Sequence, residues 1–252
     1  MSVKNKVLAA AASLTLVGGA GVAALATAGT ANAATPSCGP TCIDIYSNQF
    51  GNYASPNFVM DSFKQGDVAG TPIILFRQSN ADPAEDFTID QEGAVSEFLA
   101  AGLVSSALAL HYGCTTGVFG PDGCNGANGT GVDDYAYEFM YSPFGVQTGL
   151  CVGVGATAVA GTKVTLQPCG LSGKTIWIAN YTGNRLVNPQ DGIGLVNGSD
   201  TNFSQPYGLT YPNSSYPTDT PRPELYTTNI DSFSTGAINT NQLWGARAGI
   251  LP

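Results

Sequence analysis

Charge is scarce in this chain of 252 residues. Only 11% of the residues are Asp, Glu, Lys or Arg, against roughly a quarter in an ordinary soluble domain. Basic residues are scarcest, with 9 Lys and Arg facing 18 Asp and Glu. Phosphate binding needs a concentrated basic surface, so nucleic acid is excluded as a partner. There is one histidine, His111, and neither G-x-S-x-G nor H-E-x-x-H occurs, which removes the familiar nucleophile and zinc-hydrolase patterns. A lone histidine beside Tyr112 in an apolar run reads as a packed, hydrogen-bonded residue. Asp133, Asp134, Glu138 and Glu224 leave a carboxylate pair for glycoside hydrolysis open, provided that two of them face each other across a cleft. The chain is expected not to be an enzyme, and no cofactor or metal is expected. The loop from Asp122 to Thr130 is rich in oxygen donors but lacks the D-x-D-x-D-G order of a calcium loop. What the chain has in quantity is 32 Gly, 15 Pro and 43% hydrophobic residues. That composition excludes disorder and long coiled coils, and points to a loop-rich, all-β globular protein.

Residues 1–33 read as a secretory signal peptide. Lys4 and Lys6 form a basic start, an uncharged Ala/Val/Leu/Gly stretch follows, and Ala31-Asn32-Ala33 provides small residues for cleavage before Ala34. Cleavage removes two lysines and makes the net charge of −9 more negative still. The expected location is outside the cell, secreted or at the cell surface, with no stable membrane insertion after cleavage. The uncharged segment from Phe98 to Pro121 is too short and too interrupted to span a bilayer. In an exported chain six cysteines read as disulfides. Spacing suggests Cys38 with Cys42, Cys114 with Cys124 and Cys151 with Cys169. N-x-S/T occurs at Asn128, Asn180, Asn197, Asn202 and Asn213.

Residues 34–252 are expected to form one disulfide-stabilised domain with internal repeats. Val164 and Leu166 alternate with Lys163, Thr165 and Gln167, the two-residue period of a strand, and Ile73 to Phe76 forms a short apolar run between turns. Ala69-Gly70-Thr71 before Ile73-Ile74-Leu75 aligns with Ala160-Gly161-Thr162 before Val164-Thr165-Leu166. Upstream, Phe58-Val59-Met60-Asp61 aligns with Leu150-Cys151-Val152-Gly153. Downstream, Phe87 and Trp177 follow at nearly the same distance, and Phe139 and Trp244 have similar surroundings. The repeating unit is a strand, a second strand near Gly-Thr, an aromatic-bearing strand and a Gly turn. Four aromatic endings at uneven intervals leave three or four units open. Residues 94–134 are the expected insertion, with Ala94 to Tyr112 helix or hairpin. Trp177 and Trp244 are expected in the core.

This unit resembles the repeat of ricin-type lectin domains, whose pattern is C-L-D-V, G-x-x-V-x-L-x-x-C and N-Q-x-W. Cys151-Val152-Gly153-Val154, Gly161 to Cys169 and Trp177 fit it, as does Asn241-Gln242-Leu243-Trp244. The resemblance covers about half of the mature chain. It implies a β-trefoil, a Cys151–Cys169 bond within one repeat, and a polysaccharide or other glycan as the partner. In such repeats the Asp and the Asn hold sugar hydroxyls while an aromatic stacks on the ring. Here the implied ligand-binding residues are Asp61, Phe76, Glu85 and Asn241, although no repeat keeps the whole pair: Glu85 and Asp86 precede Phe87, Gly153 replaces the Asp, and Thr210 lies upstream of Asn241. His111 falls near the Asp position of a second unit. The leading expectation is a secreted, non-catalytic, lectin-like protein. Its alternative is an interaction protein or inhibitor on the same frame without sugar binding.

Overall fold

The computed structural model describes residues 39, 41–79, 81–112, 134–180, 192–212, 222–230 and 238–248. Every described residue belongs to one compact unit, residues 33–252. The expected leader, Cys38, the Cys114–Cys124 pair and the Asp122–Thr130 loop lie outside the described residues.

Twelve strands run through the described residues in three sets of four. The first set is β1 (Ile43–Ser47), β2 (Phe58–Ser62), β3 (Ile73–Arg77) and β4 (Phe87–Ala94). The second is β5 (Tyr135–Tyr141), β6 (Leu150–Val154), β7 (Val164–Pro168) and β8 (Ile176–Asn180). The third is β9 (Gly194–Asn197), β10 (Tyr207–Thr210), β11 (Tyr226–Asn229) and β12 (Trp244–Ala248).

Pairing shows how the sets close. β1 pairs with β4, β4 with β5, β5 with β8 and β8 with β9; Ile193 bridges to Trp244 beside β9 and β12, and β12 pairs back with β1. First and fourth strands of every set thus form a closed six-stranded barrel, which leaves no open edge. The second and third strands form antiparallel hairpins, β2–β3, β6–β7 and β10–β11. These hairpins meet one another in a triangle through bridges Pro72–Thr165, Ile74–Glu224 and Lys163–Tyr226. A six-stranded barrel capped by three hairpins in threefold arrangement is a β-trefoil.

The Gly-Thr repeat has a local cause. Gly70 and Gly161 sit at φ +89° and +83°, where only glycine is relaxed. Each turn closes by a bond from the following threonine N–H, to Val68 O and Val159 O respectively. In β7 Val164 and Leu166 are buried while Thr165 and Gln167 are half-buried, the alternation the sequence predicts. Trp177 and Trp244 lie in the core with residues such as Ile45, Leu75 and Phe87. Each indole N–H donates to a hairpin carbonyl, Trp177 to Val152 O and Trp244 to Leu209 O, both at 2.9 Å.

Three units replace the four aromatic endings. Phe87, Trp177 and Trp244 stand at the heads of the fourth strands, whereas Phe139 lies within β5, opposite Ile89. Residues 94–134 join the first and second units. The described part of them, Ala94 to Tyr112, contains two short helices rather than one helix or a hairpin: α1 (Val95–Ala100) and α2 (Ser106–Tyr112). Gly102, at φ +72°, stops α1, with Gly102 N–H on Leu99 O and Leu103 N–H on Phe98 O, the bonds of a Schellman ending. Ser105 Oγ then accepts from Leu108 N–H and starts α2. Val95, Phe98, Leu108 and Tyr112 pack on Ala136, Ile176, Ile178 and Val196, giving the barrel wall an apolar cover. No described helix is long and apolar enough to cross a membrane.

The Cys151–Cys169 disulfide is present and ties the start of β6 to the residue after β7. Cys42 is disulfide-bonded too. Replacing Cys151 and Cys169 together by alanine is expected to lower unfolding stability by about 2–4 kcal/mol, measured as a lower urea midpoint with an intact β-sheet spectrum.

Candidate functional site

The three equivalent hairpins place one residue each against the segment that leads into the fourth strand. Counting from the residue whose carbonyl takes the indole bond, the next residue is Gly153 in the second unit and Thr210 in the third. Two residues before the aromatic stand Thr175 and Gln242. In the third unit Gln242 Nε2 donates to Thr210 Oγ1 at 3.0 Å and to Asn229 O at 3.0 Å. In the second unit Gly153 lies so close that an added Cβ would sit 2.7 Å from Lys174 O and 2.8 Å from the Thr175 side chain. An Asp cannot enter there. Both positions are neutral and filled.

The first unit has Asp61 and Glu85 at these places. Asp61 on β2 faces Ile74 across the hairpin, and Val59 faces Phe76. Opposed residues share a face, so Asp61 and Phe76 lie on the face away from Phe58, Met60, Ile73 and Leu75, which enter the main core. The 3-10 turn Pro83–Glu85 covers this second face, started by Asp82, whose Oδ1 accepts from Ala84 N–H at 3.0 Å. The turn brings three carboxylates together: one oxygen from each of Asp61, Asp82 and Glu85 lies within 4.8 Å of the others. Asp61 is 1% exposed and Glu85 3%. Glu85 accepts from Ser79 N–H, at 2.8 Å and 3.1 Å to its two oxygens. Asp61 Oδ1 is buried with no hydrogen-bond partner.

Burial governs the charge. The Asp61 pKa is raised to about 7, first by desolvation and then by Asp82, with Arg222 drawing it down. Desolvation raises Glu85 to about 9, against the Ser79 N–H bond that lowers it, with Asp61, Asp44 and Asp82 adding repulsion. Tyr141 is pushed up by burial and then by the same acids, so its hydroxyl stays neutral. Glu85 therefore holds a proton at neutral pH and is uncharged, as Gln242 is at the matching place.

Around the cluster stand residues that the sequence does not bring forward. Gln65 Nε2 donates to Asp82 Oδ1 at 3.1 Å. Gln65 and its neighbour Lys64 both hold left-handed φ, +56° and +57°, a conformation costing a non-glycine residue roughly 1–2 kcal/mol. Phe76 is half-buried, and the Arg222 guanidinium lies 3.9 Å from its ring centroid. Asp82 and Arg222 sit far from Asp61 in sequence, Gln65 follows it by only four residues, and none belongs to the repeat motif.

The remaining implied residue takes a structural part. Asn241 Nδ2 donates to Tyr211 O at 2.9 Å, and Tyr211 N–H donates to Asn241 O. This bonding pins the Thr240–Gln242 turn to the end of β10 in the third unit, so Asn241 does not join the Asp61 cluster. His111 is not at an Asp position of the second unit, which is held by Gly153. It stacks on Phe203 at 5.2 Å from α2, and burial lowers its pKa. Glu138 is buried and accepts from Gly170 N–H, Gln91 Nε2 and Thr175 Oγ1. Asp134 is buried, Glu224 pairs with Lys163 at 3.1 Å, and Asp133 lies outside the described residues. Of the N-x-S/T sites, Asn197 is buried, with Nδ2 on Lys174 O and Oδ1 accepting from Ser199 N–H and Oγ. A second concavity of about 390 Å³ lies between the 102–105 link and Asp200. Asp200 is already occupied by the N–H groups of Asn202 and Tyr207.

No protein-family model and no curated protein matches the chain. Among solved structures, the designed threefold-symmetric protein ThreeFoil is similar at TM-score 0.46 and 12% identity, over 82% of this chain and 98% of that one. The Rhizoctonia solani agglutinin is similar at 0.45 and 10%, over 83% and 95%. The C-half of the earthworm R-type lectin, solved with GalNAc, is similar at 0.42 and 13%, over 83% and 99%.

The raised carboxyl groups have a measurable consequence. Asp61 and Glu85 bind protons more tightly in the folded chain than in the unfolded one, where their ordinary values are 3.8 and 4.5. Their contribution to stability is complete below those ordinary values and is lost as pH rises through about 7 and then about 9, by at most about 1.4 kcal/mol per pH unit for each group. Glu85→Gln, which imitates Gln242, is expected to flatten the fall of the urea midpoint between pH 5 and pH 9 and to be the more stable form at pH 9. An unchanged slope would place the proton elsewhere.

Proposed function

We propose that the chain is a secreted, non-catalytic glycan-binding protein whose one retained site lies in the first unit. The observation that carries this reading is the unmet acceptor of Asp61, on the same hairpin face as the half-buried ring of Phe76. An ionised carboxylate accepts from two neighbouring sugar hydroxyls, and an aromatic face takes the C–H side of the ring. Asp82, half-buried at the rim, and exposed Gln65 mark the way in, since Asp61 itself is covered. The resemblance to ricin-type repeats places its sugar-binding carboxylate at Asp61, which supports the same assignment. Export is proposed from the basic start, apolar stretch and Ala31-Asn32-Ala33 of the first 33 residues; the Cys151–Cys169 bond suits an oxidising compartment.

One observation favours the alternative, a protein-binding factor on a frame without sugar sites. Units two and three are filled, the Asn241 amide is consumed, and Asp61 is buried. Screening the mature chain against a broad glycan panel separates the two. The expected result is retention of one glycan class, weakened about tenfold or more by Asp61→Ala, the loss of a charged hydrogen bond, and also weakened by Phe76→Ala. Failure to retain any glycan, or retention indifferent to both substitutions, favours the interaction protein.

A further inference from the structure

We infer that Asp61, Asp82 and Glu85 form a calcium site in the first unit. Three carboxylates gathered within 4.8 Å offer only hard oxygen donors. Two further observations point to a ligand. Asp61 is 1% exposed, its Oδ1 has no hydrogen-bond partner, and one of its carboxylate oxygens lies within 4.8 Å of the other two acids. The matching positions in the other two units, Gly153 with Thr175 and Thr210 with Gln242, carry no carboxylate, although Gln242 Oε1 is also buried without a partner. The scaffold thus has a neutral solution for this place and uses it twice. The other close group of possible ligands, Asp90 with Cys151 and Cys169, offers no thiolate because the cysteines are bonded to each other.

Calcium suits the geometry better than magnesium. Calcium accepts irregular sets of about 6–8 oxygens at about 2.3–2.6 Å, so that opposed ligand oxygens stand up to about 5 Å apart, whereas magnesium demands a near-ideal octahedron. Asp82 Oδ1 already accepts from Ala84 N–H and Gln65 Nε2, which fixes its carboxylate without using its second oxygen. Charge closes as well: three ionised carboxylates meet a divalent ion and the nearby Arg222 guanidinium. The groups that act on the site are Asp82 from the turn, Arg222 before β11, Tyr141 from β5 and Asp44 from β1.

As the acceptor face of a glycan site the ion rests on the reading above, but its binding is read with no sugar present. The mature chain, stripped with EDTA and held at pH 8, is melted with calcium chloride, magnesium chloride or sodium chloride at matched ionic strength. The expected result is a melting temperature raised by about 5 °C or more at millimolar calcium, less by magnesium and not by sodium. Glu85→Gln and Asp61→Asn remain folded and lose the calcium response. Absence of a calcium shift in the parent chain overturns the site. So does a shift that survives in both variants, or one that magnesium and calcium produce equally. A glycan-panel result has no bearing on these outcomes, so the two readings fail separately.

Discussion

The structure depends on closing a barrel with strands from the two ends of the described chain. β1 pairs with β12 along its whole length, from Ile43 opposite Ala248 to Ser47 opposite Trp244. Inside that pair Asp44 faces Arg247, with a buried contact of 2.8 Å. Closure succeeds only if each fourth strand enters at one depth, and that depth is set by the aromatic at its head. Where the aromatic is tryptophan, its indole N–H reaches the hairpin carbonyl and fixes hairpin to barrel. The residue two places earlier is then forced under the hairpin, out of water, whatever its chemistry. Threonine and glutamine tolerate this because they can be paired or packed.

Glutamate tolerates it only by changing charge. In the first unit the aromatic is Phe87, and the buried place belongs to Glu85, beside Asp61. Moving two carboxylates out of water against each other is among the costliest arrangements available to a chain. The protein answers with a proton at Glu85; burial also raises the pKa values of Asp44, Glu138 and Asp200, against the hydrogen bonds that each accepts. A sequence with little charge therefore hides part of its acidity.

Local chemistry was legible in the sequence and long-range chemistry was not. The β7 alternation, the Gly-Thr turns, the Cys151–Cys169 pair and the buried tryptophans each follow from neighbours along the chain or from a repeated spacing. The insertion at 94–134 was legible because it lacks the turn motif. The unit count misled because β5 carries Phe139 with Gly145 six residues on, which imitates the end of a unit while beginning one. Asp61 and Glu85 were marked by their register within the repeat. Their covering was not, because it requires knowing that the 82–85 turn folds over the outer face of the β2–β3 hairpin. Asn241 was marked by its motif, yet its amide is occupied by the backbone carbonyl of Tyr211, a contact that no spacing reveals.

Threefold repetition supplies an internal control that single-domain folds lack. The same place under the hairpin is solved twice with neutral groups and once with two acids, in one molecule and at one depth. Scaffold needs alone therefore do not call for the acids, since Thr210 with Gln242 fills the same place with neutral groups, even at the cost of an unpartnered Gln242 Oε1. Local rules are broken where function repays the loss of stability. The first unit breaks them at Asp61 and Glu85, and again in the backbone of Lys64 and Gln65 that leans on Asp82. Two departures from those rules thus meet at one set of carboxylates in the first unit, whereas in the second unit the left-handed φ recurs at Phe144 with no such cluster of acids beside Gly153 among the described residues.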